Sequence, residues 1–218
     1  MTSMNSSVRG TARLIGAGLR ALLALTVVCG VLYPLAVTGI AQAAFHDQAN
    51  GSEVRSGGRV VGSEIIGQRF DLDAKDEDGN PLPDPRYFQP RPSAAGTNAV
   101  NTQYSIVVSG ASNLAADSKV LKQTVIDRRK QVADFNQVSP SRVPVDALTA
   151  SGSGLDPDIS PAYAELQVNR VAKANALPRE KVARLVADHT QGRQLGFIGE
   201  PRVNVLKLNI ALTRLSRH

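Results

Sequence analysis

Residues 21–45 carry no charged side chain and are largely apolar, while the 20 residues before them hold Arg9, Arg13 and Arg20 and no acid. No other feature restricts the chain so far. A helix over such a stretch rises about 37 Å, enough to cross a hydrocarbon core of about 30 Å. In lipid a single span must be helical, because its backbone groups find no water to bond. Gly30, Pro34 and Gly39 fall inside the run and are tolerated there better than in a soluble helix. Arginine resists translocation, so the basic tail, residues 1–20, is expected in the cytoplasm and the rest of the chain outside. The rival reading is a cleaved signal peptide, for which Ala41-Gln42-Ala43 offers a small-x-small site. A signal core spans about 7–15 residues, and this run is longer, which favours an uncleaved anchor. Both readings export the chain beyond Phe45.

All 19 acidic residues and 22 of the 25 Lys and Arg lie beyond Phe45, leaving that part only +3 of the chain's +6. Half of the basic excess therefore belongs to the tail, where it marks topology. The remaining cations are scattered without an aromatic-interleaved basic stripe, so no nucleic-acid partner is expected. The short cluster Arg128-Arg129-Lys130 reads as a solvated helix face. The single cysteine, Cys29, sits in the apolar run, so disulfides cannot brace the exported part. With no Trp, its core must come from Val, Leu, Ile and Ala, with Phe70, Phe88, Tyr104, Phe135, Tyr163 and Phe197 as anchors.

The chain thus divides into a tail (1–20), a membrane helix (21–45), a polar glycine-bearing linker (46–58) and one extracytoplasmic α+β domain (59–218). Residues 60–66 read as a strand bounded by glycines. Residues 71–92 read as a loop, acidic first and proline-rich after, and 104–108 as a second strand. Apolar residues at helical spacing predict a helix over 114–135, with Ser112 or Asn113 as its cap. Ser160-Pro161 opens a helix to about residue 176, with Tyr163, Leu166, Val171 and Ala174 inward. Pro178 opens another, burying Val182, Leu185 and Val186. Residues 192–202 form a glycine-punctuated turn with a short strand at 194–198. The last segment, 203–215, carries both a strand-like alternation and a helical stripe, and its length favours helix.

Tests for chemistry fail one after another. Asp71-x-Asp73 begins like a calcium loop, but Lys75 and Asp76 occupy positions that need a ligand and a glycine. Three histidines, at 46, 189 and 218, have neither a nearby cysteine nor metal-ligand spacing. His189 falls at a helix end, where a ring packs and a cation favours the dipole. Ser151-Gly152-Ser153-Gly154 is neither a nucleophile elbow nor a phosphate loop. Such glycines let backbone turn or approach another chain closely, and the same holds for Ser109-Gly110-Ala111-Ser112.

Four stretches carry a resemblance. They are Gly62-Ser-Glu-Ile-Ile-Gly-Gln68; Tyr87-Phe-Gln-Pro-Arg-Pro-Ser93; Ser109-Gly-Ala-Ser-Asn-Leu114; and a tract from Val145 through Gly152-Ser-Gly-Leu-Asp-Pro-Asp-Ile-Ser-Pro161, continuing by Leu166-Gln-Val-Asn-Arg-Val171 to Gln194-Leu-Gly-Phe-Ile-Gly-Glu-Pro-Arg-Val-Asn-Val-Leu206. In order and spacing these resemble the C subunits of the Kdp potassium-transporting ATPases over essentially the whole chain. Ala111 replaces a usual glycine, and the acidic insert around residues 73–80 is long. The resemblance implies a non-catalytic accessory subunit of a bacterial inner-membrane potassium-uptake complex. It also implies three partners: a potassium-translocating A subunit, a P-type ATPase B subunit and a small F subunit. ATP and magnesium would bind at the B subunit, and the chain, holding no cofactor, would act as a catalytic chaperone raising that subunit's ATP affinity. An exported domain cannot touch cytoplasmic nucleotide, so such an effect would have to be allosteric. A membrane-anchored periplasmic ligand-binding module is the reading from another class. Polar glycine loops concentrate binding residues, so the expected partner interface comprises Arg91, Ser109, Gly110, Ser112, Asn113, Ser151, Gly152, Ser153, Gly154, Asp156 and Arg202.

Overall fold

The computed structural model describes residues 3–77, 79, 81–93, 96–97 and 107–217. The chain divides into two units, Met1–Ser52 and Glu53–His218. In the first, α1 (Ser3–Val27) runs into a widened turn over Val28–Leu32, then α2 (Tyr33–Ala44) and the one-turn α3 (His46–Ala49). The widening has a local cause. Pro34 lacks an N–H and its ring crowds the carbonyl four residues back, at Gly30. The backbone opens so that Tyr33 N bonds Val28 O, five residues back. The helical stretch Gly10–Ala44 is long and apolar enough to cross a membrane. Phe45 leaves the helical region at φ −138°, and Asn50 closes the unit by donating to His46 O and Gln42 Oε1 at 2.7 and 3.1 Å.

The second unit is α+β, as expected. Its first half is a series of two-stranded ladders. β1 (Glu53–Ser56) and β2 (Arg59–Ser63) form a hairpin whose turn, Gly57-Gly58, supplies two positive φ angles. The segment 46–58 is thus helix α3 and strand β1 as much as linker. The strand expected over 60–66 stops at Ser63, whose Oγ and O accept from Ile65 N and Ile66 N. β3 (Asp71–Lys75) and β4 (Pro81–Pro83) form a second hairpin where the sequence reads as loop. The prolines disguised it: Pro81 and Pro83 give β4 no donor, which an edge strand tolerates. Arg69 braces it through Asp71 and Pro81 O. β5 (Gly96–Thr97) pairs with β6 (Val107–Val108). Tyr104 and the start of the strand expected at 104–108 lie outside the described residues.

α4 (Lys119–Asn136) begins five residues later than predicted. Asn113 adopts φ +51°, which ends any helix there, and Ser118 is the cap, accepting Leu121 N at 3.3 Å. After β7 (Asp158–Ile159), α5 (Pro161–Ala174) starts as the sequence predicts, with Ser160 Oγ accepting Tyr163 N at 3.0 Å. Asp146 fixes that cap from behind, accepting from Ser160 N and Oγ at 2.8 and 2.9 Å. Ala174, expected inward, is exposed because α5 ends there. α6 (Arg179–Asp188) buries Val182 and Val186, with Leu185 half-buried. β8 (Thr190–Gln191) and β7 flank β9 (Arg202–Asn204) in an antiparallel sheet. α7 (Val205–Leu215) follows at once, so both signals in 203–215 were real. Asn204 is the switch: it ends β9 and caps α7 by accepting Lys207 N at 3.0 Å.

The core gathers Phe88, Leu148, Ile159, Tyr163, Val168, Val171, Val182, Val203, Leu208 and Leu212. Phe70 and Phe135 are half-buried, whereas Phe197, expected as an anchor, is 73% exposed. Its turn closes on itself through paired Gln194–Ile198 backbone bonds and leaves the middle in solvent.

Candidate partner-docking site

Phe88 and Gln89 are buried outside the sheets, so their backbone groups need other acceptors and donors. Side-chain amides provide them. Asn209 of α7 accepts Phe88 N and donates to Phe88 O, both at 2.9 Å. Gln167 of α5 does the same for Gln89 at 2.7 and 3.1 Å. Gln89 in turn donates to Phe70 O and Asp84 O. Each pair imitates a ladder, and all three amide side chains are buried. Sequence reasoning missed Gln167 and Asn209. The signal was there: a polar residue on the apolar face of each helix.

This clamp delivers Arg91 and Ser93 to the glycine tract. Arg91 Nη1 bonds Asp156 Oδ2 at 2.8 Å, with both side chains about three-quarters buried (25% and 28% exposed). The Arg91 Nε is buried and has no acceptor among the described residues. Ser93 Oγ donates to Gly154 O at 2.6 Å. From the other side, Ser109 Oγ and Gly110 N both reach Ser153 O, at 2.8 and 2.9 Å. Ser151 and Gly154 are buried, Gly154 at φ +69°, while Gly152 and Ser153 are exposed. Ser153 Oγ takes Leu155 N at 3.1 Å, which is turn chemistry. Beneath, Gly67 N donates to Leu155 O at 2.8 Å, and a Cβ at Gly67 would collide with the Asp156 carbonyl.

The structure therefore brings Arg91, Ser109, Gly110 and the whole of 151–156 into one junction. Arg202 stands beside it: its Nε pairs with Asp158 Oδ2 at 3.1 Å, and Asp158 N donates to Asp156 Oδ1. Burial pushes the Asp158 carboxyl up, and Arg202 opposes that shift. Ser112 and Asn113 lie further along the chain, exposed in irregular backbone. Three charges chosen as interface residues, Arg91, Asp156 and Arg202, are thus engaged within the chain. What the junction offers outward is Gly152, Ser153 and Ser109, a small polar surface on a braced backbone.

Two other expectations are refined. Arg128 is half-buried and donates to Leu148 O at 3.1 Å, its guanidinium pKa lowered by burial, while Arg129 and Lys130 are solvated. His189 ends α6 with Nδ1 placed 2.8 Å from Leu185 O, a structural role. Among the described residues no three His, Cys, Asp or Glu side chains gather as a metal site.

A family model described as K+-transporting ATPase, c chain, matches residues 15–214. The chain is 58% identical to a "Potassium-transporting ATPase KdpC subunit" of Streptomyces avermitilis, over 97% of this chain and 98% of that protein. It is 56% identical to the subunit of the same name from Streptomyces coelicolor, over 97% of both chains. A third, from Gemmatimonas aurantiaca, is 49% identical over 88% of each.

Proposed function

The chain belongs to the KdpC family, the c chains of K+-transporting ATPases, and on that premise we propose that it is the accessory subunit of an ATP-driven potassium-uptake complex. The observation that carries this reading is the near full-length match, which takes in the apolar helix as well as the second unit. In this reading residues 1–20 remain in the cytoplasm, 21–45 span the inner membrane, 46–58 tether, and 59–218 work outside. The partners are a potassium-translocating A subunit, a P-type ATPase B subunit and a small F subunit. ATP and magnesium bind at the B subunit. The exported domain stabilises the assembly and raises that subunit's ATP affinity through a conformational coupling, because it lies across the membrane from the nucleotide. Its outward polar junction at Gly152, Ser153 and Ser109 supports a docking role, since binding residues concentrate on loops held by a firm scaffold.

The test is purification of the complex from cells with and without this chain. Partner subunits should copurify with the full chain, and its omission should raise the KM for ATP of the potassium-stimulated ATPase. Equal KM and yield without the chain would overturn the reading. A reporter active only outside the cytoplasm, fused after His218, should be active; activity of a cytoplasmic reporter alone would reverse the topology.

A further inference from the structure

A cleft of about 570 Å³ opens between the C-terminal end of α4 and the second half of α5. Its wall holds Phe135, Asn136, Gln137, Asn169, Arg170 and Lys173, and no carboxylate among the described residues. Arg170 is only 9% exposed, and its guanidinium lies 4.3 Å from the Phe135 ring centroid. Nε donates to Asn136 Oδ1 at 2.9 Å, Nη1 to Pro85 O and Tyr87 O at 2.6 and 2.9 Å, and Nη2 to Gln167 Oε1 at 2.7 Å. A guanidinium has five N–H groups, so one on Nη2 is left without a protein acceptor among the described residues. All four acceptors are neutral. A buried cation hydrogen-bonded only to neutral dipoles is poorly compensated, and burial brings the Arg170 pKa down to about 10 against a smaller opposing pull from Tyr163 and Asp84.

Of the acids on flanking elements, buried Asp84 offsets it in part through space, and none bonds it directly. Asp84 is engaged by Arg86, Glu165 by Arg179, and Asp134 is exposed outside the cleft wall. Lys173 adds a second, exposed cation three residues along the same helix face. The outer wall is open, with Gln137, Asn169 and Lys173 all exposed. A small acid would be left half in solvent there, whereas pockets for free ligands bury most of the ligand. A side chain presented by another protein brings its own cover.

We propose that this cleft receives a carboxylate side chain from a partner subunit of the complex, seated between the free Arg170 N–H and the Lys173 ammonium. The proposal rests on the accessory-subunit reading and names a docking point distinct from the glycine junction.

The experiment uses the full chain in the purified complex. Arg170 also holds Pro85 and Tyr87, so the variants are placed at Lys173, with Lys181→Glu on α6 as an equal charge change away from the cleft. Lys173→Glu should leave the melting temperature of the chain unchanged and weaken copurification of the partners at least about tenfold. Lys173→Gln should weaken it less, and Lys181→Glu not at all. Wild-type copurification of Lys173→Glu at every salt concentration would overturn the proposal. So would a lowered melting temperature for both Lys173 variants, which would make the cleft part of the fold's own support. Succinate that raises the melting temperature of the wild-type chain but not of Lys173→Glu, with assembly unaffected, would assign the cleft to a free acid and equally overturn it. If the wild-type chain itself captured no partner, the accessory-subunit reading would fail instead.

Discussion

The glycine stretches 151–154 and 192–199 both read as turns and are built differently. In the first, Ser151 and Gly154 are buried, and backbone oxygens of Ser153 and Gly154 are taken by Ser109, Gly110 and Ser93. In the second, every residue from 191 to 200 is exposed, and Leu195 and Phe197 are 83% and 73% in solvent. Conformation is not what separates them, since Gly154, Gly196 and Gly199 all adopt positive φ. The difference is what stands beside the backbone. Two segments converge on the first stretch and a third, at Gly67, on Leu155 just beyond it, whereas the second stretch touches itself, through Gln194–Ile198 and the exposed pair Arg193–Glu200. A glycine in sequence announces a turn; whether that turn is a junction or a tip depends on residues far away along the chain.

The largest effect that could break this contrast is at Gly67, which supports the junction from below. Gly67→Ala drives a methyl into a backbone carbonyl that cannot swing aside, and should cost about 1–3 kcal/mol. The check is the denaturant midpoint at unchanged slope; an unmoved midpoint would mean the junction is loose. Next comes Gly196→Ala at the tip. It meets nothing within 4 Å, so only the positive φ of +82° counts against it, worth about 1 kcal/mol. A loss as large as that at Gly67 would erase the distinction. The smallest stability effect is Phe197→Ser, expected within about 0.5 kcal/mol by thermal melting because the ring is not part of the core.

Charge sharpens the comparison from outside both stretches. Asp84 is buried, and its hydrogen bonds from Arg86 hold its carboxyl below the ordinary 3.8. A depressed carboxylate contributes stability that is complete above its unfolded pKa and is lost as pH falls through the folded one. Asp84→Asn should therefore flatten the stability profile below about pH 4 and leave the shape of the profile between pH 6 and 8 unchanged. An unaltered acid limb in a pH series of chemical denaturations would show that the pair contributes nothing.

The elements with a local cause were legible in the sequence: the apolar helix, the Ser160-Pro161 start of α5, Pro178 before α6, and the helix of 205–215. Elements defined by distant partners were not. The β3–β4 hairpin hid behind prolines that an edge strand tolerates, and Ser118 displaced Ser112 and Asn113 as cap because Asn113 takes a left-handed conformation. The candidate residues split the same way. Composition pointed to the Ser109 and Ser151 loops, and nothing local told that Ser153 O would join them. Gln167, Arg170 and Asn209 looked like interruptions of an apolar stripe. Each satisfies buried groups of residues 85–89, and that role exists only once the chain has folded.

The widened turn at Val28–Leu32 has a bearing on how the N-terminal helix meets a neighbour. Such a turn takes in one residue more than a regular one, which rotates everything beyond it by about 100°. Leu14, Gly18, Leu22 and Leu25 form one seam before it, and the continuation of that seam beyond it is turned by this angle, so the helix offers two short seams at different azimuths. A single straight companion helix can follow one seam or the other; engaging both requires two companions, or one that bends at the same depth.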